Sequence, residues 1–408
     1  MASSVRHGRL SRQGPVRAIL VAISSTLAVV FVATASIVGI AAWQLASSFQ
    51  PGVDIQADGE AIVYAGPIDH PVNILLVGSD SGGGNPAYGR RGENLNDVNI
   101  LLHLSPVSNS AVAVSFQRDM FVPITGCENG NPGTRKINEA LYYGGLACAV
   151  TTVEALTGLE IGYAAKVEFD GVIEMSTAVG GVEVCVAEPI RDSQLGISLD
   201  VGNHVLEGWD ALMFLRSRYG VGDGSDTTRV SNQQLFLSAL IRKIKAEGVL
   251  TNPLTVYTLA RSAAKNMQLS TSLSSIDAMA SMAFALKDIP LSNISFVQYP
   301  ASSTSMGGVN GVAPLKGQAQ VLMDALLADH VVVVTGEPGG GAQAGEDVVE
   351  TPPPAAPSQA PSNTAEETTT PPDDEEEPPP PAAPVVELPP SIHGQGAAEQ
   401  TCTIGNNF

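Results

Sequence analysis

The stretch that most limits this 408-residue chain is Ala18–Trp43, 26 residues without a charge and rich in Val, Ile, Ala and Leu. As a helix rising about 1.5 Å per residue it spans about 39 Å, more than the roughly 30 Å hydrocarbon core of a bilayer. Arg6, Arg9, Arg12 and Arg17 precede the run and Trp43 closes it. A cationic flank marks the cytoplasmic side and tryptophan suits the far interface. The chain is therefore expected to be a single-pass protein of the cell membrane, with its N-terminus cytoplasmic and the rest extracellular. A cleaved signal sequence competes with this reading, but its apolar core is usually about 7 to 15 residues, which favours an uncleaved anchor.

The other end limits the fold differently. From Glu337 to Phe408 the chain is dominated by Pro, Thr, Ala, Ser and acid, with 13 of the 41 acidic residues and no Lys or Arg. Such a composition buries too little apolar surface to fold, so a disordered, self-repelling tail is expected. The organisation that follows is a basic cytoplasmic segment at 1–17, a transmembrane helix at 18–43, an extracellular connector at 44–70, a folded domain at 71–335 and the tail at 336–408. Most of the net charge of −20 belongs to that tail. The remainder is only mildly acidic and offers no basic face for nucleic acid.

Within the folded portion, Val72–Val77 is a continuous apolar run that ends in Gly78-Ser79-Asp80-Ser81 and three further glycines. This reads as a buried strand feeding a glycine loop. Val98–Leu104 and Ala111–Phe116, joined by the turn-like 106–110, read as a buried antiparallel hairpin. That pairing brings Asp97 and Gln117-Arg118-Asp119 to one sheet edge. Helical spacing over Lys136–Tyr143 and Ala147–Leu156 stops at glycines, Ala164–Phe169 alternates like a strand, and Asp170 can cap a helix over Gly171–Val179 that leads into the strand Val182–Val186. Strands alternating with helices predict an α/β fold, a three-layer α-β-α sandwich around a mixed central sheet.

The four cysteines, Cys127, Cys148, Cys185 and Cys402, form no CxxC pair and have no histidines spaced for zinc. Outside the membrane Cys127 and Cys148 can pair, whereas Cys185 in an apolar strand reads as a buried free thiol and Cys402 has no evident partner. The sequence leaves the pairing open.

Cations are scarce, 21 Lys plus Arg in all, yet Arg216, Arg218 and Arg229 cluster around a glycine-rich turn in RSRYGVGDGSDTTRVSNQQ. The planar arginine fork suits bidentate binding of phosphate. Arg216 and Arg218 end a helix over Glu207–Leu215, where cations also suit the dipole. A second helix from about Thr228 to Ala246 places Arg229, Gln233, Phe236, Leu240 and Ile244 on one face. An apolar stripe that turns polar in its first turns points to a cavity lined by Arg229 and Gln233.

These segments resemble the LytR-CpsA-Psr family, the membrane-anchored cell-wall phosphotransferases of Gram-positive bacteria, and the actinobacterial type in particular. The likeness runs in order through NILLVGSDS, NDVNILLHL, AVAVSFQRDMFVPI, KINEALYYGG, VEALTGLEIGYAAKVEFDG, AVGGVEVCV, LEGWDALMFLRSRYGVGDGSDTTR and the following QQ. It implies transfer of an anionic glycopolymer from a polyprenyl-pyrophosphate carrier to a peptidoglycan hydroxyl, forming a phosphodiester. It also implies Mg2+ at Asp80 and Asp97, pyrophosphate held by Arg118, Arg216, Arg218, Arg229 and Gln233, and Asp97, Arg118, Arg218 and Arg229 as the catalytic group. Asp97 is the carboxylate expected to take the acceptor proton. The prenyl chain is expected in an apolar pocket around Phe169, Val172, Phe214 and Phe236. Where the family usually carries cations, this chain has Leu95 and Asn232, with Arg90 or Arg91 as substitutes for the first, and it has Gln117 where proline is usual. Two alternatives follow from the same residues, a non-catalytic polyprenyl-phosphate-binding or regulatory wall protein and a polyprenyl pyrophosphatase.

Overall fold

A computed structural model of the protein describes residues 15–48, 51–56, 68–81, 88, 94–127, 130–345 and 383–406. The chain divides into two compact units, Met1–Phe49 and Gln50–Phe408. In the first, helix α1 covers Pro15–Ser48 and contains a 31-residue stretch, Pro15–Leu45, long and apolar enough to cross a membrane. The segment with Arg6, Arg9 and Arg12, the loop glycines after Ser81, and Arg90 and Arg91 lie outside the described residues.

The second unit begins with strands β1 (Val72–Ser79), β2 (Asn96–Ser105), β3 (Ser110–Phe116), β4 (Phe121–Ile124) and β5 (Gly133–Lys136). Helix α2 (Ala140–Thr157), strand β6 (Tyr163–Val167) and helix α3 (Phe169–Ala178) follow. Four short strands come next, β7 (Val182–Val186), β8 (Ile190–Asp192), β9 (Ile197–Leu199) and β10 (Gly202–Leu206), leading to helices α4 (Gly208–Arg216), α5 (Asp226–Ala246) and α6 (Pro253–Asn266). Then come β11 (Met267–Leu269), α7 (Ile276–Asp288), β12 (Ile294–Gln298), the hairpin β13 (Ala301–Met306) and β14 (Val309–Pro314), and α8 (Lys316–Leu327). The last strands are β15 (Val331–Val333), β16 (Ala342–Ala344), β17 (Val385–Glu387), β18 (Gly394–Gly396) and β19 (Thr401–Thr403).

Seven strands form the main sheet in the order β11-β6-β1-β2-β3-β12-β18. It is mixed, since β1 pairs β6 and β3 pairs β12 in parallel while the β1–β2 and β2–β3 pairs are antiparallel. The expected hairpin is there, with Leu101 opposite Val114 and Asn99 opposite Phe116. Period-two alternation splits β3 between two layers. Val112, Val114 and Phe116 join the core built with α2 and α8, with Leu75, Val77 and Leu101 beside them. On the other face Ser115 accepts a hydrogen bond from Gln234 of α5 at 3.1 Å, and Gln298 of β12 donates to Ser231 of α5 at 2.9 Å. The helix is thus seated on the sheet by buried amides as well as apolar contact, which fixes its rotation about its own axis. A second core joins α3, α4, α5 and β7 around Phe214, Phe236, Leu212 and Val184.

Several expectations need correction. The strand Val182–Val186 is not part of the central sheet; it belongs to a four-stranded sheet, β10-β7-β19-β16. Asp170 does not cap α3. Glu168 occupies that position without a side-chain hydrogen bond, and Asp170 in the first turn accepts from the Tyr88 hydroxyl. The two helical patches on either side of Gly144-Gly145 both lie within the span of α2 and are separated, as expected, at those glycines, which leave helical geometry and kink the chain there.

The largest correction concerns the C-terminus. Residues 383–406 are not a tail: β18 is an edge strand of the main sheet beside β12, and β19 lies between β7 and β16 in the second. Arg242 of α5 donates to the carbonyls of Ala397 and Glu399 at 3.1 and 2.8 Å. The run DDEEEPPPP falls within 346–382, outside the described residues. Cys127 pairs with Cys148 as the sequence allowed, but Cys185 is not free, because it is joined to Cys402 across 217 residues.

Candidate functional site

The ends of β2 and β3, the end of α4 and the start of α5 meet on one side of the main sheet. Asp97, near the start of β2, receives Arg118 from the chain just after β3, with Nη1 2.6 Å from Oδ1. Arg229 donates through Nη2 to the backbone carbonyl of Asp97 at 3.1 Å and holds Nη1 4.0 Å from its Oδ2. One carboxylate therefore stands between two guanidinium groups drawn from elements more than a hundred residues apart in sequence.

Behind them lies a residue that sequence reading missed. Asp226, the first residue of α5, accepts the backbone N–H of Arg118 at 3.1 Å. Its Oδ1 also lies 2.6 Å from Arg229 Nη2 and 3.6 Å from Arg118 Nε. The side chains of Asp226 and Arg229 are 8% and 7% exposed, so this ion pair is shielded from water. The available signal was the i,i+3 spacing of Asp226 and Arg229 behind Ser225, whose Oγ accepts from Thr228 N–H and starts the helix there. Both arginines keep one buried Nε without a hydrogen-bond partner among the described residues. Burial pulls the Arg118 guanidinium down, but attraction to Asp97, then Asp226 and Asp119, overcomes it and leaves its pKa raised. Arg118 is a fixed cation at every working pH.

Arg216 and Arg218 complete the wall. Arg216 stacks over the Phe169 ring, 4.4 Å from Cζ to the centroid, which helps to hold the planar cation in place. Arg218 donates from Nε to the carbonyl of Gly224 at 2.9 Å, and among the described residues it has no carboxylate partner. Its loop is braced from outside by the C-terminal segment. Gly222 N–H donates to Ile404, Asn406 N–H to Gly220 and the Asn406 amide to Tyr219, each at 3.0 Å. Gly222 has a positive φ of 51°, and a side chain on Gly405 would meet the Pro189 carbonyl at 2.0 Å, so both contacts need glycine.

Two adjoining cavities result. A polar one of about 240 Å³ is lined by Asp97, Arg118, Arg216, Arg218 and Arg229, with Tyr219 and the β8–β9 tip residues Gln194 and Leu195, which were also not anticipated. An apolar one of about 250 Å³ shares Asp97, Arg216 and Arg229 and is walled by Leu76, Ile100, Phe169, Val172, Leu215 and Met267 among others. Gln233 lines the apolar cavity, its amide donating to the Leu215 carbonyl at 3.1 Å. Phe169 and Val172 stand where the sequence put them. Phe214 and Phe236 do not line the cavity but are sealed in the second core, their rings 6.2 Å apart. Asn232 is fully buried and donates to the Phe214 carbonyl at 2.9 Å, so the position that lacks a cation faces neither cavity.

Asp80 lines neither cavity. It follows β1, is 5% exposed, and its Oδ1 accepts from Leu95 N–H at 3.1 Å. It stands just past the end of β1, the strand paired with the one bearing Asp97, and both carboxylates are hard oxygen donors of the kind Mg2+ takes. Among the described residues no group of three or more His, Cys, Asp or Glu side chains is arranged to hold a metal by itself.

Asp226→Asn tests the positioning role of the missed carboxylate. Removing one partner of a buried pair should lower stability by about 3 kcal/mol in urea melts. Misplacing Arg118 and Arg229 should reduce kcat about 10²-fold without raising the donor KM, since the cavity becomes more positive. An unchanged kcat with the expected stability loss would reduce Asp226 to a structural residue.

An apolar cavity and an arginine-walled polar one share Asp97, Arg216 and Arg229 on a mixed α/β sheet. The chain belongs to the LytR_cpsA_psr family, whose model matches residues 50–326. It is similar to the probable cell wall biosynthesis protein LcpB of Corynebacterium glutamicum, 33% identical over 205 residues that make up 47% of this chain and 46% of that protein. It is also similar to the polyisoprenyl-teichoic acid–peptidoglycan teichoic acid transferase TagU of Bacillus cereus, 34% identical over 46% of this chain and 56% of that protein. The chain spans about half the length of the curated relatives it matches. The solved structure described as TagT bound to LIIa-WTA shares the fold, with a TM-score of 0.51 at 21% identity over 69% of this chain and 99% of that one.

Proposed function

We propose that this protein is a membrane-anchored transferase that moves an anionic glycopolymer from a polyprenyl-pyrophosphate carrier to a peptidoglycan hydroxyl on the outer side of the membrane. The observation that carries the reading is the pair of joined cavities, with Asp97, Arg216 and Arg229 common to both. A prenyl chain fits the apolar one and a pyrophosphate the polar one. The similarity to a teichoic acid transferase and to a probable cell wall biosynthesis protein supports it.

In this reading the acceptor oxygen attacks the phosphorus that bears the polymer. The bond from that phosphorus to the bridging anhydride oxygen breaks, and polyprenyl monophosphate leaves. Asp97 takes the acceptor proton. Phosphoryl transfer depends chiefly on positioning and neutralisation of charge, which Arg118, Arg216, Arg218 and Arg229 supply. Asp80 and Asp97 would hold Mg2+, which when bound adds charge neutralisation at the phosphate oxygens. The non-catalytic alternative loses one of its two grounds, because Asn232 faces neither cavity.

The test gives the full-length protein in lipid a synthetic polyprenyl-pyrophosphate oligosaccharide and soluble peptidoglycan strands. Equal yields of phosphodiester-linked glycan and polyprenyl monophosphate are expected, with both falling on chelation by EDTA and returning with Mg2+. Sugar phosphate and polyprenyl phosphate without the phosphodiester would identify a pyrophosphatase. Donor binding without turnover would identify a binding protein.

A further inference from the structure

A third cavity lies away from the arginine wall, enclosed by β4, α2 and α8 on the face of the main sheet opposite α5. At about 390 Å³ it is larger than either cavity described above. Phe121, Pro123, Leu156 and Met323 give it apolar walls, and Tyr299 and Lys316 add polar groups. Tyr299 is 3% exposed as a residue and lines the cavity, and its hydroxyl oxygen, without a hydrogen bond among the described residues, is still open to solvent there. Lys316, at the start of α8, is exposed and has no ion-pair partner among the described residues. The cavity also adjoins the strand ends that build the polar site. The Tyr299 ring packs on Phe116 at 5.0 Å between centroids, its backbone N–H donates to the Ser115 carbonyl at 2.9 Å, and Arg118 follows two residues after β3 ends at Phe116.

We propose that this cavity is a second ligand site for a small amphipathic carboxylate, its apolar part against Phe121, Leu156 and Met323 and its carboxylate met by the Tyr299 hydroxyl and the Lys316 ammonium. Burial pushes the Tyr299 hydroxyl up to about 12, so it remains a neutral donor throughout the physiological range. An alkyl amine or ammonium ligand is disfavoured by Lys316, and a wholly apolar one leaves the hydroxyl unsatisfied. Resting on the transferase reading, the ligand belongs to the acceptor: a peptide stem on a peptidoglycan strand carries short apolar side chains beside carboxylates. The cavity then anchors the strand whose hydroxyl is presented to the polar site.

The probe is N-acetylmuramoyl-L-alanyl-D-isoglutamine, titrated by calorimetry into the full-length protein in micelles, with its uncharged amide as control. Saturable binding is expected for the acid, and about tenfold weaker binding for the amide, for Tyr299→Phe and for Lys316→Gln, each of which removes one polar partner. In the transfer assay the same two substitutions should raise the acceptor KM about tenfold and leave the donor KM and kcat as in the wild type. Absence of binding, equal binding in both variants, or competition by polyprenyl pyrophosphate would overturn the proposal. The two readings fail separately. Phosphodiester formation with a wild-type acceptor KM in both variants removes the cavity site alone, whereas variant-sensitive probe binding without any phosphodiester removes the transferase alone.

Discussion

Arg229→Ala is expected to lower polymer transfer by about 10³- to 10⁵-fold, the range by which a single transition-state arginine changes phosphoryl transfer. Arg229 has the most central position in the site: it touches the Asp97 backbone, faces the Asp97 carboxylate, pairs with Asp226 and lines both cavities. Its loss also leaves Asp226 buried and less compensated, a change that costs about 3 to 5 kcal/mol, so an inactive variant could simply be a less stable one. Two companion substitutions separate these effects. Arg229→Lys keeps a cation for Asp226 but has no planar fork to reach Asp97 and a phosphate together, so it should stay folded and still lose at least about 10²-fold. Arg218→Ala removes a cation that has no carboxylate partner among the described residues, so its thermal melt should match the wild type while turnover falls about 10²- to 10³-fold. Wild-type turnover in Arg218→Ala with an unchanged melt would falsify the arginine wall as the seat of the reaction.

Much of this site was legible because its residues sit at the ends of strongly patterned elements. The apolar runs of β1, β2 and β3 fix which ends lie together, and Arg229 and Gln233, four residues apart in α5, share a face, so the start of the cavity side of α5 could be read from the sequence. Asp226 escaped because its importance is tertiary. Its side-chain carboxylate accepts the backbone N–H of Arg118, 108 residues away, and the i,i+3 spacing to Arg229 is by itself ordinary for a helix-starting aspartate. Phe214 and Phe236 were misplaced for a related reason: helical spacing says that a side chain faces inward but not which of two cores receives it. The end of the chain was misread through composition. Acid and proline dominate any window across 346–390, and the strands at Val385–Glu387, Gly394–Gly396 and Thr401–Thr403 are three residues each, too short to show a period.

Those short strands carry the second large expected effect. Cys402→Ser should lower stability by about 5 kcal/mol, because Cys185–Cys402 closes a loop of 217 residues and the chain-entropy gain grows with the logarithm of loop length. Cys127→Ser, which opens a loop of only 21 residues, should cost about 3 kcal/mol by the same reckoning. Reduction of the wild type should reproduce the sum of the two shifts, and reduction of Cys402→Ser only the smaller. The consequence for the site is more specific than a lower melting temperature. β19 holds residues 404–406 against the turn 219–222, and that turn sets where Arg218 stands. With β19 released, the loop keeps the Arg218 bond to Gly224 but loses three bonds that orient it, so donor KM should rise and kcat fall at temperatures well below the melt. A deletion from Ala398 onward should give the same kinetic defect with Cys185 left unpaired. If Cys402→Ser melts earlier yet keeps wild-type kcat and KM in the cold, residues 404–406 hold the turn through their hydrogen bonds alone and the disulfide serves only stability. If the deletion too keeps wild-type kinetics, the turn positions Arg218 without outside support, and the C-terminal strands belong to the fold and not to the site.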